Sequence, residues 1–272
     1  IAQTGAERFG SIDHDEYYDF TQARPYTRPV GEYQRELTWP GNEFYFLRGG
    51  GAEDLLIFVG TEPHLRWRRY GQNVVRLAQE FSVTRALALG ALLADTPHTR
   101  PVPLSGGAST PDMASELKAH GISGSGYEGP TGILSVVGSM LSEVGIPNGS
   151  IWSAVPHYIS ASPNPRASIA MVRHVNTLFG LGIPLSDLEA EVEVYEHQVE
   201  TAISGNLEAL QYVRELELHS PDEGEEADRS EAQGVYDGEP LDPSQAEGLI
   251  QSVEEFLRQQ RGGTWEYRSD PE

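Results

Sequence analysis

The sequence predicts a layered α/β domain with a mostly parallel sheet, a β-hairpin addition and a C-terminal helical appendage. Three observations predict it. Short, continuous apolar runs at 55–59, 85–93 and 150–158 read as strands buried on both faces. They alternate with segments whose apolar residues recur at helical spacing. The last third then changes character, with a net charge of −19 over residues 187–272 against −3 over residues 1–186.

Each element has its own signal. Residues 11–20 read as a strand. Residues 32–48 read as a hairpin: Tyr33, Arg35, Leu37 and Trp39 alternate with Gln34, Glu36 and Thr38, Pro40-Gly41-Asn42 supplies the turn, and Phe44 to Leu47 return. Leu55 to Val59 form a buried strand ending at Gly60. Trp67, Tyr70, Val74, Leu77, Ala78 and Phe81 mark one face of a helix. Residues 85–93 form the second buried strand. A helix over 111–119 opens on Thr110-Pro111-Asp112, and another from Thr131 to Val144 ends at Gly145. Residues 150–158 form the third buried strand, followed by a helix from about Pro165 to Phe179.

From Ser186 the helices turn acidic. Leu188, Val192, Tyr195 and Val199 form a stripe, Gly205-Asn206 breaks it, and Leu207, Leu210 and Val213 resume it. Residues 220–240 are acidic with few apolar side chains and are expected to be mobile. A last helix is expected from Asp242, with Pro243 at its first position, Gln245 closing a capping box, and an apolar face from Ala246 to Leu257. The expected division is therefore a core over 1–185 and an acidic helical element over 186–272.

Composition narrows the function classes. The chain of 272 residues carries a net charge of −22, which argues against nucleic-acid binding, since phosphate contacts need a basic footprint. No run of 18 apolar residues exists, so no membrane span is expected. Cysteine is absent, which excludes disulfides and thiolate chemistry and fits a cytoplasmic setting. There is no P-loop, no His-Glu-x-x-His and no nucleophile elbow; Gly121-Ile122-Ser123-Gly124-Ser125 lacks the final glycine. Gly124 to Gly129 matches a dinucleotide-type glycine pattern, but no adequate buried strand precedes it and Pro130 follows at once, so it reads as a turn. Asp13-His14-Asp15-Glu16 has neither the spacing nor the closing Glu of a calcium loop. No cofactor or metal is expected.

Polar clusters follow the buried strands, where open α/β sheets bind ligands. Glu62, His64 and Arg66 follow the first, Asp95, His98 and Arg100 the second, and His157 and Tyr158 end the third. Glu128 and Thr131 lie at a helix N-terminus, where free N–H groups could face an anion. These ten are the candidate pocket. The competing reading is structural, since Asp and Thr cap helices, Pro shapes turns, and a His beside a carboxylate locks loops together.

These clusters also carry a resemblance. Asp13 to Phe20 with Arg24-Pro25, Glu62 to Trp67, Gly90 to Pro101, Tyr127 to Ile133 and Val155 to Ser160 with Pro163-Asn164-Pro165 resemble, in order, the PAC2 family of proteasome assembly chaperone-like proteins, in its actinobacterial form. The resemblance implies a three-layer α/β/α sandwich of the nucleoside phosphorylase and peptidyl-tRNA hydrolase kind. It implies a hairpin used in self-association, homo-oligomers and trimers in particular, and a C-terminal helical element over a possible pocket. Proteasome subunits become candidate partners. The alternative is a nucleoside-like ligand site, or an enzyme, under a helical lid. The family opens with an apolar strand and a helix; here only the end of that helix is expected, at Ile1 to Phe9, with the strand missing and the N-terminus incomplete. The chain also lacks the terminal hydrophobic-Tyr-any triplet by which some relatives dock on proteasomes.

Overall fold

A computed structural model describes residues 4–49, 53–124, 126–159 and 162–219. The expected mobile stretch 220–240 and the helix from Asp242 lie outside the described residues. The chain forms two compact units whose segments interleave along the sequence: residues 1–88, 128–148 and 179–181 in the first, 89–127, 149–178 and 182 onward in the second.

The first unit is built on an antiparallel sheet of β1 (Glu7–Ser11), β4 (Asn42–Leu47) and β5 (Leu55–Gly60), in the order β1-β4-β5. Phe44 pairs with Phe58 in register and their rings stack 4.4 Å apart. Two helices complete it, α1 (Trp67–Glu80) and α3 (Ile133–Glu143). They approach closely at Gly71, where a Cβ would run into the thioether of Met140. Ile12, Tyr17, Tyr18, Phe44, Tyr70 and Ile133 form one buried cluster, and Val75, Ala78, Leu141 and Ile146 a second.

Here the sequence reading needs correcting. Residues 11–20 are not a strand; the strand is β1, and the chain then turns so that the amides of Tyr17 and Tyr18 both donate to the carbonyl of His14. Glu7 to Ser11 is thus sheet edge rather than the end of a helix. Nor do the two halves of 32–48 pair. β3 (Arg35–Thr38) pairs backwards with β2 (Tyr26–Pro29), through a turn closed by the Val30 amide on the Gln34 carbonyl. β4 goes instead to β1 and β5. Alternation specified strands at both places, but the turn that sets the register lies at Val30 to Gln34, not at Pro40-Gly41-Asn42.

The second unit holds a four-stranded sheet in the order β6-β9-β7-β8. Its members are β6 (Ala86–Ala94), whose first three residues cluster with the other unit, β7 (Leu104–Ala108), β8 (Ser123–Gly124) and β9 (Asn148–Pro156). β7 is antiparallel to β9 and parallel to β8. The expectation of a mostly parallel sheet is therefore not met: β1–β4, β4–β5, β2–β3 and β7–β9 are all antiparallel. Nor are the apolar runs buried on both faces: β5 is half-buried along most of its length, and β6 leaves Leu89, Leu92 and Leu93 exposed. The sequence also gave no sign of β7, whose Leu-Ser-Gly-Gly-Ala carries too little apolar area to stand out. Gly106 is needed there, because a Cβ would run into the Ser150 carbonyl on β9.

The helices of this unit fall where expected. Thr110 caps α2 (Pro111–Ala119) by accepting the Met113 amide. Asn164 accepts the Ala167 amide at the start of α4 (Pro165–Phe179). α5 (Ser186–Ser204) ends at Gly205, and Asn206 opens α6 (Leu207–His219) by accepting the amides of Glu208 and Ala209. Tyr195, Val199 and Val213 of the expected stripe are buried, in one cluster with Tyr158, Ile159, Ile203, Ala209 and Leu216, whereas Leu188, Val192 and Leu210 are half-buried and Leu207 is exposed. No helix among the described residues is long and apolar enough to cross a membrane.

Candidate functional site

Asp95, Thr96, His98, Thr99 and Arg100 follow β6 directly, and His157 to Ile159 form a 3-10 turn at the end of β9. Within the second unit these strand ends meet. Asp95 Oδ1 lies 3.0 Å from His157 Nδ1, and the Tyr212 hydroxyl, from α6, lies 3.0 Å from His157 Nε2. With the carboxylate facing Nδ1, that nitrogen carries a proton; in the tautomer this fixes, Nε2 is the acceptor for Tyr212. The result is a carboxylate–imidazole–phenol chain.

A second motif sits beside it. The Tyr158 hydroxyl accepts the backbone N–H of His98 at 2.8 Å, which directs its own proton to His98 Nδ1, also at 2.8 Å. Burial pushes the His98 imidazole down to about 4, and the nearby Arg166 guanidinium adds to the shift. Burial also raises the Tyr158 phenol well above its ordinary range. His98 is therefore neutral, and its Nδ1 is available as acceptor. His98, Tyr158, His157 and Tyr212 pack edge to face, with neighbouring centroids 5.5 to 5.8 Å apart.

The surrounding helices are tied in by charge. Arg166 donates through Nη2 to the Arg100 carbonyl at 2.9 Å, and its Nε pairs with Glu196 at 3.3 Å. Thr99 donates to Glu217 of α6 at 2.5 Å. The hollow left between these groups, lined among others by His98, Arg100, Asn164, Arg166 and Tyr195, has about 20 Å³, room for one water.

Of the ten candidates, Asp95, His98, Arg100, His157 and Tyr158 thus share the second unit, and the other five belong to the first. There Glu62 Oε1 accepts the Ile133 amide at 2.7 Å and caps α3, whose N-cap Gly132 has no side chain to do so. His64 Nδ1 accepts the Asp19 amide at 3.2 Å. Arg66 adopts a left-handed backbone at the start of α1 and pairs with Glu16 at 3.1 Å, as Arg69 does at 3.0 Å. Glu128 and Thr131 are exposed. Asp13, His14 and Asp15 bring their ligand atoms within 4.8 Å of one another, on an exposed turn that the Asp13 carboxylate closes by accepting the Asp15 amide.

Sequence reasoning missed a buried network in the first unit. Asn42, fully buried, accepts from the Tyr70 hydroxyl at 2.6 Å and donates to the Tyr18 hydroxyl, which donates on to the Thr61 carbonyl at 2.5 Å. A Cβ on Gly60 would run into the Asn42 amide. In the second unit it missed Thr99, Arg166, Glu196, Tyr212 and Glu217. No local pattern marks Tyr212, which meets a histidine 55 residues away. Among the described residues, no buried side-chain nitrogen or oxygen lacks a partner.

The PAC2 family model matches residues 1–203. A PAC2 family protein from Streptomyces avermitilis is 36% identical, with a TM-score of 0.69 over 78% of this chain and 88% of that one. A proteasome-assembly chaperone homologue from Mycobacterium tuberculosis is 39% identical, with a TM-score of 0.69 over 78% of this chain and 89% of that one. An archaeal proteasome activator from Pyrococcus furiosus, 16% identical, shares the fold at a TM-score of 0.58 over 74% of this chain and 84% of that one. No curated protein matches the chain.

Proposed function

The chain belongs to the PAC2 family, and from that premise we propose that it is a cytoplasmic, proteasome-assembly-chaperone-like protein that forms a homo-oligomer, a trimer, and works by holding protein surfaces. The observation that carries this reading is the β2–β3 hairpin. Tyr26, Val30, Tyr33 and Leu37 are all exposed on it, Tyr33 to 89%. Exposed apolar side chains gathered on one short ribbon mark a contact surface. The partner named for the M. tuberculosis relative extends that surface to proteasome subunits. The strand-end cluster supports the same reading, because His98 bonds to Tyr158 and His157 to Tyr212, and the hollow beside His98 has room for one water.

Native mass spectrometry of the protein drawn gently from its own cells tests the proposal. A mass of three chains, alone or with proteasome α subunits, supports it; a single chain overturns it.

A second reading, a nucleoside-like ligand site, is favoured by one arrangement, the Asp95–His157–Tyr212 chain. Its carboxylate is 44% exposed while its imidazole is sheltered, the pattern of a general acid–base relay. A nucleoside at 100 times its dissociation constant would add about 2.7 kcal/mol of stability, so a thermal-shift panel of nucleosides and nucleotides that stays flat removes this reading.

A further inference from the structure

We infer that the groove between the start of α4 and the middle of α5 docks a segment of a partner protein rich in arginine or lysine and carrying aliphatic side chains. The groove holds about 280 Å³ and is walled by Pro163, Pro165, Ala190 and Val194, with Tyr195 at its base and Glu191 at its rim. Its base is rigid: Tyr195 is buried, and its hydroxyl accepts from Asn164. Val194 stands 60% exposed in the middle of a helix whose outward residues, Ala190 apart, are otherwise polar. The positions 187, 191, 194 and 198 share one helical face. The site thus offers a largely apolar floor with the Glu191 carboxylate at its rim.

Charge selects the occupant. α5 carries Asp187, Glu189, Glu191, Glu193, Glu196 and Glu200 and no lysine or arginine. Arg173 of α4 pairs with Glu189, and Arg166 with Glu196. The field over the groove is negative, which repels nucleic acid and disfavours a second copy of a chain of net charge −22. No wall residue is a buried, unpartnered polar group of the kind that fixes a small polar molecule. An extended basic peptide satisfies both features, its aliphatic side chain entering over Val194 and its cationic neighbours facing Glu191.

The test uses the full chain at 150 mM salt and a fluorescein-labelled peptide alternating arginine with leucine and valine. Two controls replace its arginines by glutamate or its aliphatic residues by glycine. The basic apolar peptide is expected to bind at least tenfold more tightly than either control, and Val194→Asp and Glu191→Arg are each expected to weaken it tenfold with unchanged melting temperature. Equal binding of the glycine peptide would reduce the effect to unspecific charge attraction and overturn the proposal, as would equal binding of the glutamate peptide, no binding, or indifference to both substitutions. Because the chain has no cysteine, Val194→Cys places a single thiol in the groove. Rapid reaction with a disulfide reagent, slowed by the peptide, supports the proposal. A thiol unreactive in the free full chain shows the groove already covered by this chain or a second copy and overturns it. The hairpin plays no part in this test, so its failure leaves the oligomer reading untouched.

Discussion

The hydroxyl of Tyr212 on α6 lies 3.0 Å from Nε2 of His157 at the end of β9. This bond fastens the last described helix to a strand end, on an imidazole that Asp95 holds from the other side. Tyr212→Phe keeps the ring packing and removes only the donor. It is expected to cost about 1 kcal/mol, a fall of about 2–4 °C in Tm. Asp95→Asn is expected to act through the same imidazole, so the double variant should be less destabilised than the two effects added together. Additive effects in thermal melts would show that the three residues do not act as one chain.

His98 sets a pH window. Its imidazole titrates at about 4 in the fold against 6.5 ordinarily, chiefly through burial. As pH falls through 6.5 the unfolded chain takes up this proton first, so the stability His98 contributes is complete above 6.5. It is lost progressively down to about 4, by about 3 kcal/mol in all. Urea denaturation of the wild type and of His98→Asn, whose side-chain oxygen also accepts from Tyr158, should therefore diverge between pH 6.5 and 4, the wild type losing more. Parallel curves would remove the buried-imidazole account. If the cluster is a lock, His98→Ala lowers Tm at neutral pH; a Tm near that of wild type would return His98 to a ligand-binding role.

The Asn42 network predicts a large loss at one residue. Asn42→Ala strands the Tyr70 hydroxyl and removes one donor from Tyr18, which keeps its bond to the Thr61 carbonyl; one orphaned group at about 1–3 kcal/mol and one lost hydrogen bond at about 1 kcal/mol put the cost at about 2–4 kcal/mol. Gly60→Ala should also destabilise, by pushing on the same amide from β5. Chemical denaturation checks both, and a loss below 1 kcal/mol for Asn42→Ala would show the network to be dispensable.

Glu62 is expected to be a cap rather than a ligand. Glu62→Ala leaves the Ile133 amide without an acceptor and should cost about 1 kcal/mol, while Glu62→Gln, which keeps an acceptor, should cost less. Equal melting temperatures for all three chains would rule out the capping role.

On the hairpin, Tyr33→Ser combined with Leu37→Ser removes exposed apolar surface without touching a buried residue. In the proposed trimer this should leave single chains at low concentration, read by light scattering. An unchanged mass would move the self-association surface elsewhere.

Local chemistry made much of this legible in the sequence. The Thr110-Pro111 cap, the Gly205-Asn206 break and the apolar stripes of α1 and α5 each depend on residues within a turn or two, and each stands where the sequence put it. Pairing did not follow, because a strand's partner is set by turn register and by distant packing. β3 therefore went to the wrong neighbour, and Asn42, read as a turn residue, proved the most deeply buried amide of its unit. The strand-end residues announced polar chemistry but not their use. His157 and Asp95 show as a candidate acid–base pair in any list of side chains; that Tyr212 and Glu217 of α6 bond to this neighbourhood does not show there.

Because β3 closes on β2 and not on β4, the ribbon 26–38 begins and ends its hydrogen-bond ladder within itself. Its length and tip sequence are uncoupled from the register of the sheet that carries the Asn42 network. A change in its length or sequence would leave the pairing of β1, β4 and β5 as it is. The same independence makes the tip at Gly31-Glu32-Tyr33 the place to insert an epitope or a cross-linker with little thermodynamic penalty.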